Sequence, residues 1–312
     1  MNLITKVPRF KKILTIFFIL TFALTAVVSA QVRYVVIPES PRPGDPFTVA
    51  VNAAATEAQL IVNGRQVAKA ACFYMPAEGG QPSFTAAILA IPDDIAYNTA
   101  IIRIINRNVI CEIPITFTAR EFRTETIRLT PELTNLVSVP DPQKTAESQR
   151  LWEILTTMGT QVYHTGAFLL PITSTRRTSQ FGTRRVNLYS DGRRIPSTHA
   201  GVDFGAPTGT EVTACGRGMV ILSRMRIVTG NTVIIEHAPG VYSIYYHLDS
   251  VIAQEGSIVE AGSLIALSGS TGFSTGPHLH WEIRVSTINT DPDAFTGSPL
   301  IDKELIISRI YN

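Results

Sequence analysis

Short strand-like runs of residues recur along much of this chain, and one of them, Phe47–Val51, alternates in character at a period of two, which is typical of a half-buried strand. Between Val32 and Phe117, short runs of this kind are separated by turn signals. One of these signals, Asn63-Gly64, favours a tight hairpin because both positions tolerate positive φ. About seven short strands at this spacing predict a β-sandwich over residues 31–118.

Residues 119–165 have a different, helical pattern. Asp141 can cap a helix that starts with Pro142, and Gly159 can end it. Four apolar side chains would then share one face: Leu151, Ile154, Leu155 and Met158. We therefore expect a short helical linker that packs this stripe against a neighbouring domain. Trp152 is expected to belong to that packing and not to act as a ligand platform.

Strand patterns return after Phe168 and continue to about residue 300. Glycines separate apolar runs such as Thr232–Glu236 and Tyr242–Tyr246. These runs predict an antiparallel β domain over residues 166–300, followed by a tail over residues 301–312. The predicted fold class of the whole chain is therefore all-β.

The first thirty residues have the three parts of a secretory signal peptide. A basic head precedes an apolar run, Ile13–Val28, and the small residues Ser29 and Ala30 then precede Gln31. An uncleaved anchor is the alternative, although the run is shorter than the roughly 18–20 apolar residues of a spanning helix. We expect residues 1–30 to be removed, which leaves an exported protein without stable membrane insertion, in the periplasm or cell envelope.

Composition limits the partners and the redox chemistry. The 312 residues carry a net charge of +2, and no basic stripe is interleaved with aromatic residues, so nucleic acid is not an expected partner. Of the three cysteines, Cys72 and Cys111 would be the pair for a disulfide within one domain. Cys215, between Ala214 and Gly216, is interpreted as a packed structural residue.

Five of the six histidines lie between residues 199 and 280. His278 and His280 are two apart, so on a strand they would face the same side, roughly 6.6 Å apart along the chain. Alone, such a pair is a weak signal for metal binding.

A second cluster, His199-Ala-Gly-Val-Asp203, has the spacing of a helical pair. Gly201 and the flanking prolines argue against a helix, so we expect a loop that leads into a strand. His199, Asp203 and one histidine of the 278/280 pair would supply two imidazoles and a carboxylate. Such a set, with an open fourth position, suits catalytic zinc.

His247 ends a predicted strand, and no His-Glu-x-x-His motif is present to supply a glutamate base. His247 and the remaining histidine of the pair can serve near neutral pH as base and hydrogen-bond donor. His237 and His164 are interpreted as structural.

Several motifs together resemble the lysostaphin/LytM-type family of zinc endopeptidases over roughly residues 166–297. They are His199-Ala-Gly-Val-Asp203, Tyr245-Tyr-His247-Leu, Gly276-Pro-His278-Leu-His280-Trp-Glu-Ile-Arg and the opening Ser179-Gln-Phe-Gly-Thr-Arg184. The front module is similar to the immunoglobulin-like domain of some members.

This resemblance implies roles for the histidines. His199, Asp203 and His280 would bind Zn²⁺, and His247 and His278 would form the catalytic pair. Family members also place a tyrosine near the site, for which Tyr189 is a loose match. Ser274 and Thr275 would line the substrate groove.

The implied function is hydrolysis of peptide bonds in peptidoglycan stem peptides or cross-bridges. The alternative is a non-catalytic regulator that binds the wall or activates other hydrolases; relatives of that kind lack metal ligands, and none is missing here. A wall-binding adhesin would leave the histidines unexplained. The sequence does not distinguish a glycine bridge from a direct cross-link, although export to a periplasm favours the direct one.

Overall fold

The structure is a computed structural model that describes residues 32–312, so the predicted signal peptide lies outside it. The described residues form one compact unit. They are mostly strand, and the all-β prediction is confirmed. No helix in residues 32–312 has the length and apolar character that crossing a membrane requires.

Eight strands form a sandwich module at the amino-terminal end. They are β1 (Tyr34–Ile37), β2 (Pro46–Val51), β3 (Glu57–Val62), β4 (Arg65–Ala71), β5 (Phe73–Met75), β6 (Phe84–Ala90), β7 (Thr99–Asn106) and β8 (Asn108–Thr116). One sheet has the order β1-β2-β6-β5 and the other β4-β3-β7-β8. The immunoglobulin-like assignment stays a prediction, which this strand order supports.

Strand β6 belongs to two apolar cores at once. Ala87 and Leu89 pack between the two sheets of the sandwich module. Ala86, Ile88 and Ala90 point the other way and pack against the rest of the chain. Because side chains alternate along a strand, a fully apolar strand of this kind must be covered on both faces. The sheet that contains β6 is therefore enclosed between its partner sheet and the C-terminal module.

The disulfide that the sequence leaves open as a possible pairing is not formed in the structure. Cys72 and Cys111 are both free thiols. Cys111 is in β8, at one edge of its sheet, and Cys72 follows β4, at the opposite edge. Three strand spacings amount to roughly 14 Å, about twice the Cα separation that a disulfide tolerates. The pairing of Cys72 with Cys111 is therefore wrong for this geometry.

The connecting segment contains a strand as well as helices. Its elements are β9 (Thr124–Arg128), α1 (Pro131–Ser138) and α2 (Pro142–Thr156). The predicted start of α2 is confirmed, because the Asp141 carboxylate accepts a hydrogen bond from the Gln143 amide at 2.7 Å. Its predicted end at Gly159 is wrong: α2 ends at Thr156 with Thr157 as the C-cap, and Gly159 instead allows close approach to Glu236.

The apolar stripe of α2 packs on the C-terminal module as predicted. Ile154 and Leu155 are buried against Tyr242 and Ile244. Trp152 does not take part in this core: it is 61% exposed, so the expectation for it is wrong. Position 152 lies about 200° around the helix from Ile154, which turns it away from that sheet.

The C-terminal module contains the remaining strands. They are β10 (Arg177–Ser179), β11 (Arg184–Leu188), β12 (Arg194–Thr198), β13 (Val202–Gly205), β14 (Glu211–Thr213), β15 (Gly218–Arg226), β16 (Gly230–Ala238), β17 (Val241–Val251), β18 (Ile258–Val259), β19 (Leu264–Ser268), β20 (His278–Val285) and β21 (Ile288–Thr290). A 3₁₀ helix at Pro292–Phe295 follows, and the predicted tail forms α3 (Lys303–Tyr311).

Ten of these strands form one sheet whose main path is β10-β13-β20-β17-β16-β15-β18. One face, with Leu279, Trp281 and Tyr245, enters the large core shared with β6. Helix α2 covers part of the other face. A smaller three-stranded sheet, β12-β11-β9, stands beside it. The part of the face that α2 leaves uncovered, on β13, β20 and β17, carries the histidines.

Candidate metal centre

Asp203, His280 and Tyr246 form a row across three neighbouring strands. Asp203 in β13 is directly opposite His280 in β20, which is opposite Tyr246 in β17. His199 lies in the loop between β12 and β13. The Oδ1 atom of Asp203 is 2.7 Å from Nδ1 of His280 and 3.0 Å from Nε2 of His199. The two ring nitrogens are themselves 3.0 Å apart.

The short loop from His199 to Asp203 depends on Gly201. A Cβ atom at this position would lie 2.2 Å from the carbonyl oxygen of Trp281. Only glycine therefore lets this loop lie against β20 and bring His199 beside Asp203. The expectation of a loop that leads into a strand is confirmed.

These three donors fit a zinc ion. Zinc–ligand distances of about 2.0–2.1 Å in a tetrahedron require ligand atoms roughly 3.3 Å apart, close to the separations found here. All three side chains are buried. Among residues 32–312, they form the one group of at least three His, Cys, Asp or Glu residues whose ligand atoms lie close enough together to hold a metal ion. Two imidazoles and a carboxylate are also the donor chemistry of catalytic zinc, with a fourth position left for water.

His199 and His280 each use the ring nitrogen that faces away from the centre to donate a hydrogen bond. The Nδ1–H of His199 donates to the carbonyl oxygen of Gln180 at 2.9 Å. The Nε2–H of His280 donates to Oε1 of Glu282 at 3.0 Å. Because these partners can only accept, the nitrogens that face the centre, Nε2 of His199 and Nδ1 of His280, can carry lone pairs. The two rings are thus preset as ligands.

His247 and His278 face the same cleft without joining the donor group. Their rings are 4.8 Å apart, and Nε2 of His278 is 3.8 Å from Oδ1 of Asp203. The Nδ1–H of His247 donates to the carbonyl oxygen of Thr271 at 2.8 Å, and that of His278 to Gly276 at 2.7 Å. With Nδ1 engaged in this way, Nε2 is the ring nitrogen that each histidine presents to the cleft.

His247 also has an unusual backbone conformation. Its φ is +61°, in the left-handed region, and its amide donates to the carbonyl oxygen of Thr229 at 2.9 Å. Residues held in this region often belong to functional sites, because surrounding contacts must maintain the strain. Here the bend turns the ring of His247 towards His278 at the end of the regular part of β17.

Burial and hydrogen bonding set the charges of the metal-free centre. Burial alone would lower the pKa of His280, but hydrogen bonds to Asp203 and Glu282 raise it to about 9. Burial opposes ionisation of Asp203, yet its bonds with His199 and His280 keep its pKa well below the usual range. Burial lowers the pKa of His247 to about 3, so this ring is neutral. In the metal-free centre Asp203 is thus a carboxylate, His280 an imidazolium and His247 a neutral base.

Two supporting residues were not assigned a role from the sequence. Glu282 is buried beside His280, and its second oxygen accepts from Nε of Arg284 at 2.8 Å. Tyr246 stacks on the ring of His280 with centroids 5.4 Å apart. Every second side chain of β20 projects to the same face, so residues 278, 280, 282 and 284 lie together. The spacing of two residues could therefore have placed Glu282 beside His280.

The remaining candidates are placed as follows. Ser274 and Thr275 line the cleft, which has a volume of about 250 Å³. Tyr189 lies outside it, in the β11–β12 turn beneath the guanidinium of Arg193. His237 is buried in the core, where its ring contacts Ser243 and the carbonyl of Arg217, and His164 packs near it. Cys215 is fully buried, as expected for a structural residue.

Two curated proteins are similar to part of this chain. The chain is 40% identical over 128 residues to the peptidoglycan DD-endopeptidase ShyB of Vibrio cholerae, covering 41% of this chain and 29% of that protein. It is 39% identical over 122 residues to the DD-carboxypeptidase/endopeptidase Mpg of Neisseria meningitidis, covering 39% of this chain and 27% of that protein. The chain thus matches less than a third of the length of either relative.

A solved structure from Pseudomonas aeruginosa, described as peptidase M23, shares the fold. Its TM-score is 0.60 at 20% identity, over 83% of this chain and 95% of that one. Residues 197–292 match Peptidase family M23, and this range holds all five residues of the cleft predicted above. The chain therefore carries a Peptidase family M23 domain.

Proposed function

We propose that this protein is an exported zinc endopeptidase that hydrolyses peptide bonds in the stem peptides or cross-bridges of peptidoglycan. The carrying observation is that His199, Asp203 and His280 converge on one point while His247 and His278 face it with free Nε2 atoms. The names of the two relatives, a peptidoglycan DD-endopeptidase and a DD-carboxypeptidase/endopeptidase, support the substrate class.

His199, Asp203 and His280 would hold the metal. Zinc in such a set polarises a scissile carbonyl and makes a bound water acidic. The protein's own task is then to remove a proton from the attacking water and deliver one to the leaving amine.

His278 is the better placed of the two bases. Its Nε2 lies 3.8 Å from Oδ1 of Asp203, beside the proposed metal ligands, so the ring can take a proton from a water held there and become an imidazolium. The same imidazolium can then donate to the leaving amine. His247 is more deeply buried, and its neutral ring adjoins His278 at 4.8 Å, where its Nε2 can accept a hydrogen bond from the attacking water or from the substrate and so orient it.

Substrate access fits a peptide chain. The cleft is lined by Ser274 and Thr275 from the loop before β20 and by Ile127 and Arg185 from the three-stranded sheet, so polar and apolar groups of a peptide could both find contacts there. A regulator that only binds walls would not need both free bases. The predicted export signal would place the enzyme in the cell envelope, where a direct stem-to-stem cross-link is the proposed target bond.

The test is digestion of purified peptidoglycan by the zinc-loaded protein, with products identified by mass spectrometry. Walls with direct cross-links and walls with glycine bridges should both be offered. We expect release of uncross-linked muropeptides from the directly linked wall, and a loss of rate of about 10²–10⁴-fold in the His278→Ala variant. If neither wall is cut, or if His278→Ala cuts equally well, the proposal fails.

A further inference from the structure

Arg185 connects the metal centre to a part of the chain outside the matched range. It lies in β11, and its Nη2 donates to Oδ2 of Asp203 at 3.2 Å. Its side chain is 18% exposed, so this contact is largely shielded from water. The guanidinium is thus within direct reach of a proposed zinc ligand.

The two oxygens of Asp203 have different partners. Oδ1 is the atom that His199 and His280 approach, whereas Oδ2 accepts from Arg185. A carboxylate held in this way offers one oxygen to a metal, because its other oxygen is already bonded to a cation. Ligation by a single oxygen keeps the number of protein donors at three, as a catalytic zinc site requires.

Arg185 is itself held by Glu125 and Ser179. Its Nε donates to Oε1 of Glu125, and its Nη2 donates to Oγ of Ser179 at 2.8 Å. The hydroxyl of Ser179 donates in turn to Oε1 of Glu125 at 3.3 Å. The three side chains form a closed set that fixes the direction of the guanidinium.

Glu125 reaches this position through strand β9 of the connecting segment. β9 pairs in parallel with β11, and Glu125 is directly opposite Arg185 in that register. Opposite residues of paired strands project to the same face. The connecting segment therefore supplies a carboxylate to the support of the metal centre.

We propose that Arg185 is a positioning residue that fixes Asp203 as a single-oxygen ligand, and that Glu125 acts through Arg185. This inference rests on the proposed zinc-dependent function. Partners behind metal ligands commonly contribute about 10–100-fold to metal affinity. We expect Arg185 and Glu125, which precede the matched residues 197–292, to contribute to zinc affinity by the same factor.

The test is the zinc dissociation constant of the purified protein, measured by competition with a chromogenic chelator. Arg185→Gln should bind zinc about 10–100-fold more weakly than the parent. Arg184→Gln is the matched control, because it removes the same charge from the adjacent position, where the guanidinium bonds Asp93 and Thr198 instead. Its zinc affinity should stay within about threefold of the parent, well below that range.

The relay through Arg185 is tested by combining changes. Glu125→Gln should weaken zinc binding in the parent but add nothing in the Arg185→Gln background, since two residues that act through one contact are not additive. Arg185→Lys keeps the charge but cannot reach Ser179, Glu125 and Asp203 together, so it should also bind weakly. Arg185→Lys replaces Arg185→Gln in the zinc measurement if Arg185→Gln does not fold. Thermal unfolding of the metal-free proteins shows whether each variant is folded.

The outcomes separate the two proposals. If the parent binds no zinc, the proposed function fails. If the parent binds zinc and Arg185→Gln or Arg185→Lys binds it as tightly as Arg184→Gln does, the positioning role of Arg185 is wrong. Additive effects of Glu125→Gln and Arg185→Gln would overturn the relay.

Discussion

His280 and Asp203 lie opposite each other on antiparallel strands, with Nδ1 of His280 2.7 Å from Oδ1 of Asp203. The same ring donates from Nε2 to Glu282, so in the metal-free protein it lies between two carboxylates. This arrangement stabilises a proton on His280 and also places the ring where a metal needs it without that proton.

Zinc affinity should therefore rise with pH. The pKa of His280 in the metal-free protein is about 9, so below that pH zinc must displace one proton from this ring. We expect the dissociation constant to fall about tenfold per pH unit between about pH 6.5 and 8.5, and to level off above about pH 9. Chelator competition at a series of pH values measures it. A constant affinity over that interval would show that His280 is already unprotonated.

Glu282→Gln should damage both zinc binding and stability. Zinc affinity should fall about 10–100-fold, because the amide cannot hold the His280 ring as a carboxylate does. The variant also leaves Arg284 without its buried counter-charge, a loss on the order of 3 kcal/mol in the free energy of unfolding.

Denaturant unfolding and zinc titration measure the two effects of Glu282→Gln. Glu255→Gln is the control, since Glu255 pairs with Arg224 at the surface and such pairs contribute about 1 kcal/mol or less. Equal losses in the two variants would mean that Glu282 has no special role.

Gly201→Ala should disrupt the centre from a position that bears no functional group. The new Cβ would lie 2.2 Å from the Trp281 carbonyl oxygen, so the loop must move away from β20. We expect a loss of about 1–3 kcal/mol in stability together with weaker zinc binding, because His199 moves with the loop. Gly297→Ala, where no atom lies within 4 Å, is the control. Unchanged zinc affinity in Gly201→Ala would show that the loop from His199 to Asp203 does not depend on this glycine.

Substitutions of His247 should separate its backbone role from its chemical role. His247→Asn and His247→Val both remove the ring, so both should lose peptidoglycan hydrolysis while retaining zinc. Asparagine tolerates positive φ and β-branched valine does not, so His247→Val should be about 1–2 kcal/mol less stable than His247→Asn. Thermal unfolding and zinc titration compare them. Equal stability would mean that the backbone relaxes when the ring is removed.

The sequence predicted those parts of the centre that depend on local spacing. The period of two placed His278 and His280 on one face, and Gly201 argued for a loop between His199 and Asp203. The division of the pair into ligand and base came from family resemblance, and the structure brings His280, not His278, within 3 Å of the other donors.

Contacts between segments that are distant in the sequence could not be predicted from it. Arg184 and Arg185 are adjacent and chemically identical, and only the folded position of β11 shows that Arg185 is the one that meets Asp203. The same limit explains the errors elsewhere. Trp152 is a large apolar residue, but its position on α2 turns it away from the sheet. Cys72 and Cys111 belong to the same module, but they lie at opposite edges of a sheet.

Strand β6 limits how the two modules could be separated. Its alanines at 86 and 90 fit a surface of the C-terminal module, and its Ala87 fits the interior of the sandwich. A larger side chain at either kind of position would force one of the two packed layers outward. Removing the front module, or exchanging it for an unrelated sandwich, would expose the apolar surface that β6 covers. Any truncation or fusion of this chain should therefore keep the two modules together as one piece.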